Sequence, residues 1–325
     1  MKTIKMIDLF AGAGGLTLGF HQNKIDILDT IEIDENAVKT YNFNFKQNIV
    51  PKDITNNEIR FNFIEKNKHK AEILIGGFPC QGFSMAGKRN PDDPRNKLYL
   101  YTIEIIKDID PEVVVLENVK GLLSMERGKR IKIILEDLYK IGYYTKIILV
   151  NSANFGVPQR RERIIFIASK MINKNKVDQA IKEISNFKIN CFMTVKDAIE
   201  DLILTPELEE INHKFTNHSN VMKLRLNNLK EGESLYDNYK DAWKRIYWNQ
   251  PSPTVKENHG ATHVHPKLDR VLTARELARL QSFPDDFIFK GSKSSQLRQI
   301  GNAVPVKLSN EIAKIILNVF FNDIK

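Results

Sequence analysis

Long apolar runs and cysteines are scarce in this chain of 325 residues. No apolar run approaches the roughly 18–20 residues that a membrane-spanning helix needs, so we expect no membrane anchor. Two cysteines cannot form a disulfide framework or a multi-cysteine zinc site, which favours a reducing cytoplasm. The first residues run directly into a strand-like segment, and we therefore expect no cleaved signal peptide.

The composition is that of an ordinary folded protein with a basic charge. Hydrophobic residues make up 42% and charged residues 27% of the chain, which excludes a disordered or fibrous protein. The 49 lysines and arginines exceed the 40 acids, and the net charge of +9 favours a polyanionic partner such as nucleic acid. The excess is concentrated in a few segments, since 120–132 holds five basic residues and one acid.

Short apolar runs alternate with helix-like stretches over the first 170 residues. This alternation predicts βαβ units and an α/β fold with a doubly wound, mostly parallel sheet. Ligands bind such sheets at the carboxyl ends of the strands, so functional residues should follow the strands directly. The predicted strands are 5–10, 27–33, 72–75, 113–116, 145–150 and 163–169, and the predicted helices are 16–23, 35–46, 96–108 and 128–141.

The periodicity weakens over 171–269, where Asn, Lys, His and Glu become frequent. We interpret 171–269 as a second, smaller domain. Helical order then returns, because Thr273 and Glu276 form a capping-box pattern and the last helix carries an apolar stripe with i, i+3, i+4, i+7 spacing. The chain is therefore predicted to return to the first domain, which comprises 1–170 and 270–325.

A glycine-rich loop, Phe-Ala-Gly-Ala-Gly-Gly at 10–15, follows the first predicted strand. The dinucleotide fingerprint requires a glycine at position 17, where Thr17 stands, so a nucleoside without pyrophosphate fits this loop better. Glu32 ends the second strand and can accept hydrogen bonds from both ribose hydroxyls. Asp53 can accept one from an adenine amino group. The alternative interpretation is a tight turn beside two surface acids.

Three further motifs carry reactive or charged side chains. Cys80 follows a predicted strand and is framed by Pro and Gly, which favours a cysteine at the active edge of the sheet over an inert buried thiol. Glu117 ends the next strand and should face the same crevice. Arg161 and Arg163 lie two apart in an extended segment, so we expect them on one face, where they would orient the acid and the thiol.

These segments resemble the motifs of the cytosine-C5 DNA methyltransferases in order and in spacing. The resemblance spans residues 6–305, and it places 171–269 where this family carries its variable target-recognition domain. The ordered set is far more specific than any single motif. The matching segments are FAGAGG at 10–15, Glu32, Asp53, PCQ at 79–81, ENV at 117–119, QRRER at 159–163, RVLTARE at 270–276 with QSFP at 281–284, and QIGNAVP at 299–305.

The resemblance implies a Rossmann-like class I methyltransferase fold, S-adenosylmethionine as methyl donor and duplex DNA as substrate. Cys80 would attack C6 of the target cytosine, and Glu117 would bond N3 and the N4 amino group and supply a proton. Arg163, with Arg161, would bind O2. The cofactor contacts that it implies are Phe10, Ala11, Gly12, Gly14, Gly15, Glu32, Ile33, Asp53, Ile54, Pro79, Asn302 and Ala303.

The target base must leave the duplex for this chemistry. The length resembles the compact bacterial enzymes of restriction–modification systems, so we expect a cytoplasmic bacterial monomer, without membrane contact, that shares its site with an endonuclease. His259, His263 and His265 lack a partnering cysteine or acid pair, and no metal site is predicted. DNA contacts are predicted from a mobile loop after the cysteine and from residues 171–269, which we call the variable region. These contacts are Gln81, Ser84, Lys88, Arg89, Arg95, Lys97 and Thr254.

Three other functions stay open at this point. The tRNA cytosine methyltransferases on the same scaffold carry a Cys-Phe-Thr tripeptide in the variable domain, and here Cys191 is followed by Phe192 and Met193, a partial likeness that we attribute to chance. A nicotinamide-dependent dehydrogenase is disfavoured by Thr17. A catalytically inactive DNA-binding module is disfavoured because the cysteine, the acid and the arginine are all present.

Overall fold

One mixed sheet forms the centre of the protein. A computed structural model describes residues 3–79, 98–237, 243–257 and 263–322. The strands in these ranges are β1 Lys5–Leu9, β2 Asp26–Ile31, β3 Ile73–Gly76, β4 Val113–Val119, β5 Tyr143–Asn151 and β6 Glu162–Lys170. Their order is β2-β1-β3-β4-β6-β5. Strands β1 to β4 are parallel and β6 is antiparallel to β4 and β5, which confirms the predicted mostly parallel α/β sheet.

Helices cover both faces of this sheet. The helices in the described ranges are α1 Gly15–His21, α2 Glu35–Phe45, α3 Asn57–Asn67, α4 Leu98–Ile109, α5 Lys129–Lys140, α6 Lys174–Asn186, α7 Val195–Ile199, α8 Asn220–Asn227, α9 Ala274–Leu280, α10 Lys293–Asn302 and α11 Val306–Phe321. Neighbouring strand residues point to opposite faces, so Met6 packs with α1, α6 and α11 whereas Ile7 packs with α3, α4 and α5. Burial on both faces explains why the strands are continuous apolar runs.

The C-terminal helices return to the sheet as the apolar pattern predicts. In α11, Ile312, Ile316 and Phe320 are buried in the cluster that also contains α1 residues. The predicted capping box of α9 is present, with reciprocal hydrogen bonds between Thr273 and Glu276. None of the helices in the described ranges is long and apolar enough to cross a membrane.

The region predicted as a second domain begins with a helix that packs on the sheet. In α6, Val177, Ala180 and Ile184 are buried in the same cluster as β1, β3 and α11. The apolar stripe of α6 therefore completes the core around the sheet, although the predicted boundary at residue 171 places this helix in the second domain. Beyond α6, the described part of the region contains α7, α8 and isolated β-bridges.

Helix α3 was not predicted from the sequence. Asn56 caps it by accepting hydrogen bonds from the backbone N–H groups of Glu58 and Ile59, at 2.9 and 3.1 Å. Its buried side chains are few, since Phe63 and Ile64 are its apolar contribution to the core. A short apolar stripe in a polar segment gives too weak a period for detection.

Candidate active site

The glycine loop after β1 is shaped by close packing. A Cβ on Gly14 would lie 2.3 Å from the ring of Phe45, and Gly14 has a φ of +94°. A Cβ on Gly15 would lie 2.4 Å from the carbonyl oxygen of Val304. Glycine is therefore required at both positions. At Gly14 both the positive φ and the lack of space exclude a side chain, and at Gly15 the lack of space does.

Glu32 follows β2 and holds this loop in place. Its Oε2 accepts a hydrogen bond from the backbone N–H of Gly12 at 2.7 Å, and its Oε1 accepts from Ile33 and Asp34 at 2.8 and 2.7 Å. The carboxyl group is buried, and that burial raises its pKa although the three N–H groups act in the opposite direction. A carboxylate has about four acceptor positions, so one position on Oε2 stays available.

Two adjoining cavities lie at the carboxyl ends of the parallel strands, and both are lined by Phe10, Glu32 and Pro79. The larger cavity has a volume of about 640 Å³ and the smaller cavity about 270 Å³, so together they have the size of a small-molecule site. Of the other predicted cofactor residues, Ala11, Gly12, Gly15, Asn302 and Ala303 line the larger cavity, and Ile33, Asp53 and Ile54 line the smaller one. Gly14 lines neither, and its role is the packing described above.

Asp8 is a lining residue that the sequence reasoning missed. It is buried in β1, lines the larger cavity and accepts a hydrogen bond from the hydroxyl of Thr17. Burial raises the pKa of Asp8 to about 8, and its Oδ1 has no hydrogen-bond partner among the described residues. Thr17 occupies the position where the dinucleotide fingerprint requires a glycine, and its hydroxyl binds this acid. An aspartate inside an apolar strand was the signal that could have identified it.

Glu117, which lines the larger cavity, forms an ion pair with Arg163. Nε of Arg163 lies 2.6 Å from Oε1 of Glu117, and each side chain is 12% exposed. The antiparallel pairing of β4 with β6 brings the two together, because Val119 pairs with Arg163. A Cβ on Gly77 would be in ordinary van der Waals contact with Oε2 of Glu117, at 3.4 Å, so the acid lies beside the chain that leads to Pro79.

Asn118 fastens the same chain segment to β4. Its side-chain N–H donates to the carbonyl oxygen of Phe78 at 2.9 Å. Pro79 is the last described residue before the gap at 80–97. The predicted nucleophile Cys80 lies outside the described residues, and so do the predicted DNA contacts Gln81, Ser84, Lys88, Arg89, Arg95 and Lys97.

Arg161 binds backbone carbonyl groups, whereas we expected it to orient the acid and the thiol together with Arg163. Its guanidinium is buried and donates to the carbonyl oxygens of Val255 and Gly301, at 2.8 and 2.9 Å. Burial lowers the pKa of Arg161 to about 9. The residue lies just before β6 and fastens the variable region to α10.

Gln159 strengthens this connection and was also missed. Its side-chain oxygen accepts from the N–H of Val255 at 2.7 Å, and its side-chain N–H donates to Gln281 at 2.8 Å. The hydroxyl of Thr254 donates to the carbonyl oxygen of Arg160 at 3.0 Å. The 159–163 motif therefore holds the predicted DNA contact Thr254 beside the strand that carries Arg163.

The buried histidines serve the packing of the variable region. His263 and His265 are buried, and burial lowers the pKa of each to about 4. Glu276 accepts two hydrogen bonds from Arg270, at 2.8 and 2.6 Å. Within the described residues no group of three His, Cys, Asp or Glu side chains is placed to hold a metal ion, and His259 lies outside them.

The sheet, the glycine loop and the cleft together define a Rossmann-like methyltransferase. A crystal structure described as a DNA modification methyltransferase encoded within an E. coli prophage matches with a TM-score of 0.80 and 28% identity, over 98% of this chain and 99% of that one. The structure of DNMT2 from Spodoptera frugiperda matches with a TM-score of 0.67 and 18% identity, over 97% of this chain and all of that one, and supports the fold alone.

Comparison with known sequences gives the particular family. The model of the C-5 cytosine-specific DNA methylases matches residues 4–318, and the chain belongs to that family. The Type II methyltransferase M1.HphI of Haemophilus parahaemolyticus is 37% identical, over 99% of this chain and 88% of the relative. The Type II methyltransferase M.NgoFVII of Neisseria gonorrhoeae is 33% identical, over 97% and 87%. The predicted enzyme class, a DNA cytosine-C5 methyltransferase, is confirmed.

Proposed function

We propose that this enzyme methylates C5 of a flipped-out cytosine in a short specific duplex sequence, with S-adenosylmethionine as donor. The observation that carries the proposal is the Glu117–Arg163 ion pair beside a cleft large enough for a nucleoside. The Type II methyltransferases among its relatives support a role as the modification enzyme of a restriction–modification system. On this proposal the protein acts as a monomer in the bacterial cytoplasm and protects sites that a cognate endonuclease would cut.

The two cavities fit the parts of S-adenosylmethionine. The adenine would occupy the smaller cavity, where Asp53 can accept a hydrogen bond from its amino group. Glu32 lines both cavities, and its free acceptor position suits a ribose hydroxyl. The amino-acid part would lie in the larger cavity, beside Asn302 and Ala303. When bound, S-adenosylmethionine supplies an electrophilic methyl group.

Cytosine C5 is a poor nucleophile, and the protein would have to activate it. Attack of the Cys80 thiolate on C6 breaks the aromaticity of the ring and makes C5 enamine-like. Glu117 would bond N3 and the N4 amino group and supply a proton as charge builds on the ring, while Arg163 holds the acid and bonds O2. After methylation, removal of the C5 proton expels Cys80 and restores the ring. We assign Arg161 a positioning role, because it fastens the variable region to α10.

The basic charge suits a duplex that is held mainly through its phosphates. Extracting the target base costs a few kcal/mol, which protein–DNA contacts must offset. We propose that the variable region after α6 reads the sequence and that Thr254 lies at its junction with the cleft. The contacts predicted within 81–97 remain part of this proposal.

Bisulfite sequencing tests the function directly. Cytosines in one short sequence context should resist conversion in DNA from cells that express the protein, and the same context should convert fully when Cys80→Ala is expressed. The readout gives the base, the sequence and the activity together. The proposal would be contradicted if cytosines in every sequence context of the DNA converted fully although folded wild-type enzyme was present. Protection of cytosines in tRNA alone would contradict it as well.

Substitution of Glu32 tests the cofactor assignment. Glu32→Ala removes an acceptor for the ribose and also releases the three N–H groups that shape the loop. Hydrogen bonds to a charged group contribute about 1.5–3 kcal/mol, so we expect the affinity for S-adenosylmethionine to fall at least about tenfold. Calorimetric titration measures the change. Glu65→Ala, which removes an exposed acid of α3 from outside both cavities, is the matched control, and equal affinities for the two variants would remove Glu32 from the site.

A further inference from the structure

The charges that line the larger cavity are unbalanced. Its described lining contains four acids, Asp8, Glu32, Asp34 and Glu117, and a single cationic side chain, Arg298. Of the four acids, Asp8 is largely protonated near neutral pH, because burial raises its pKa to about 8, so the other three supply the negative charge. The amino-acid part of the proposed cofactor carries a sulfonium, an ammonium and a carboxylate. The acids favour the two cations but repel the carboxylate, which therefore needs a positive partner within this cavity.

The helix that carries Arg298 is held firmly in place by its neighbours. It lies one turn before Asn302 on α10, so both residues project from the same side of the helix and both line the cavity. The next residue, Gln299, is anchored because its Oε1 accepts from the hydroxyl of Thr40 at 2.6 Å. A Cβ on Gly301 would lie 2.4 Å from the backbone nitrogen of Glu257. The helix backbone is therefore held tightly, and the arginine side chain is the part that can adjust.

The guanidinium of Arg298 has N–H donors besides the one that binds Asp34. Its Nη2 donates to Oδ2 of Asp34 at 2.7 Å, and the two side chains are 39% and 33% exposed. Oδ1 of Asp34 accepts from the N–H groups of Asn36 and Ala37 and caps α2, so the position of the acid is set without the arginine. A guanidinium has five N–H donors in a planar fork that matches a carboxylate. Donors besides the one bound to Asp34 are therefore available to a ligand.

We propose that Arg298 binds the α-carboxylate of the cofactor's amino-acid part. The inference rests on the proposed use of S-adenosylmethionine and adds a binding residue that the motif positions did not indicate. In the structure the guanidinium pairs with Asp34, whose charge competes with the carboxylate for it. By binding the carboxylate, Arg298 selects a donor with an intact amino-acid end over one that lacks the carboxylate.

The test compares Arg298→Met with the wild type against S-adenosylmethionine and its decarboxylated form, by calorimetric titration. The variant should bind S-adenosylmethionine about tenfold more weakly, because a charge-assisted pair at a partly exposed site is lost. It should bind the decarboxylated form equally well or more tightly, since removing a cation from an acidic cavity favours a ligand that carries only positive charges. Equal losses for both ligands would overturn the inference.

Asp34→Asn separates carboxylate binding from the ion pair. Asparagine still caps a helix, so α2 should stay intact while the charge that faces Arg298 is removed. We expect this variant to bind S-adenosylmethionine no more weakly than the wild type does. A loss equal to that of Arg298→Met would mean that the ion pair itself maintains the site, and would overturn the inference. A folded wild-type enzyme that binds neither ligand would refute the proposed cofactor and the inference with it.

Discussion

Replacing Glu117 with glutamine is expected to slow methyl transfer by about 10²–10⁴-fold, the contribution typical of a positioned acid. Glutamine keeps the shape of the side chain but cannot supply a proton, and it removes the charge that Arg163 meets at 2.6 Å. The measurement is a single-turnover rate on a duplex with the identified target site, at saturating S-adenosylmethionine. Under these conditions cofactor affinity and product release do not contribute to the rate.

A second glutamate on the neighbouring strand gives a matched control. Glu162 pairs with Lys120 at 2.8 Å, and their side chains are 43% and 55% exposed. Exposed pairs contribute about 0–1 kcal/mol, so Glu162→Gln should change the rate by less than about threefold. We expect Arg163→Met to lower the rate of methyl transfer as well. In the double variant with Glu117→Gln, the fold-loss of rate should be smaller than the product of the two single losses, because the two residues act as a unit. A rate for Glu117→Gln close to that of Glu162→Gln would show that the acid has no catalytic role.

Local patterning predicted the positions of the segments that lie at the carboxyl ends of strands. The glycine loop follows β1, Glu32 follows β2, and Glu117 lies at the end of β4. Each of these strands is a local apolar run, and parallel strands place their carboxyl ends at one edge of the sheet. Local patterning was therefore sufficient to bring these distant residues together.

The parts that were missed depend on contacts between distant segments. Arg161 was expected at the cleft, but it bonds Val255 and Gly301, whose positions no local period predicts. Gln159 is buried for the same reason, since its partners lie in the variable region and after α9. A buried arginine or glutamine has the same appearance in a sequence as an exposed one, because only tertiary packing decides whether its donors meet backbone carbonyls or a ligand.

Helix α6 illustrates the same limit for domain boundaries. Its composition is polar and resembles the segment that follows, so composition alone predicts a boundary at 171. Only one narrow stripe, including Val177 and Ile184, meets the sheet and α11. A boundary based on composition cannot detect such a stripe, whereas the packed structure assigns the helix to the first core.

A covalent complex between Cys80 and DNA is the largest effect that we expect, because it is present or absent. If the thiolate attacks C6, turnover requires removal of the C5 proton after methylation. Fluorine at C5 cannot leave in this way, so the bond between Cys80 and C6 should persist. Incubating the enzyme and S-adenosylmethionine with a duplex that carries 5-fluorocytosine at the target position should give an adduct that survives denaturing electrophoresis. Its mass should equal that of the protein plus the methylated oligonucleotide.

The second cysteine provides the control for this experiment. Cys191 is exposed and lies in the variable region, so it is accessible to nonspecific alkylation but belongs to no motif. Cys191→Ala should therefore form the adduct at the wild-type rate, and Cys80→Ala should form none. Omitting S-adenosylmethionine should leave little stable adduct, because without methylation at C5 the addition to C6 reverses. An adduct mapped to Cys191, or normal methylation by Cys80→Ala, would contradict the covalent mechanism, because the C6 nucleophile would then be a group other than Cys80.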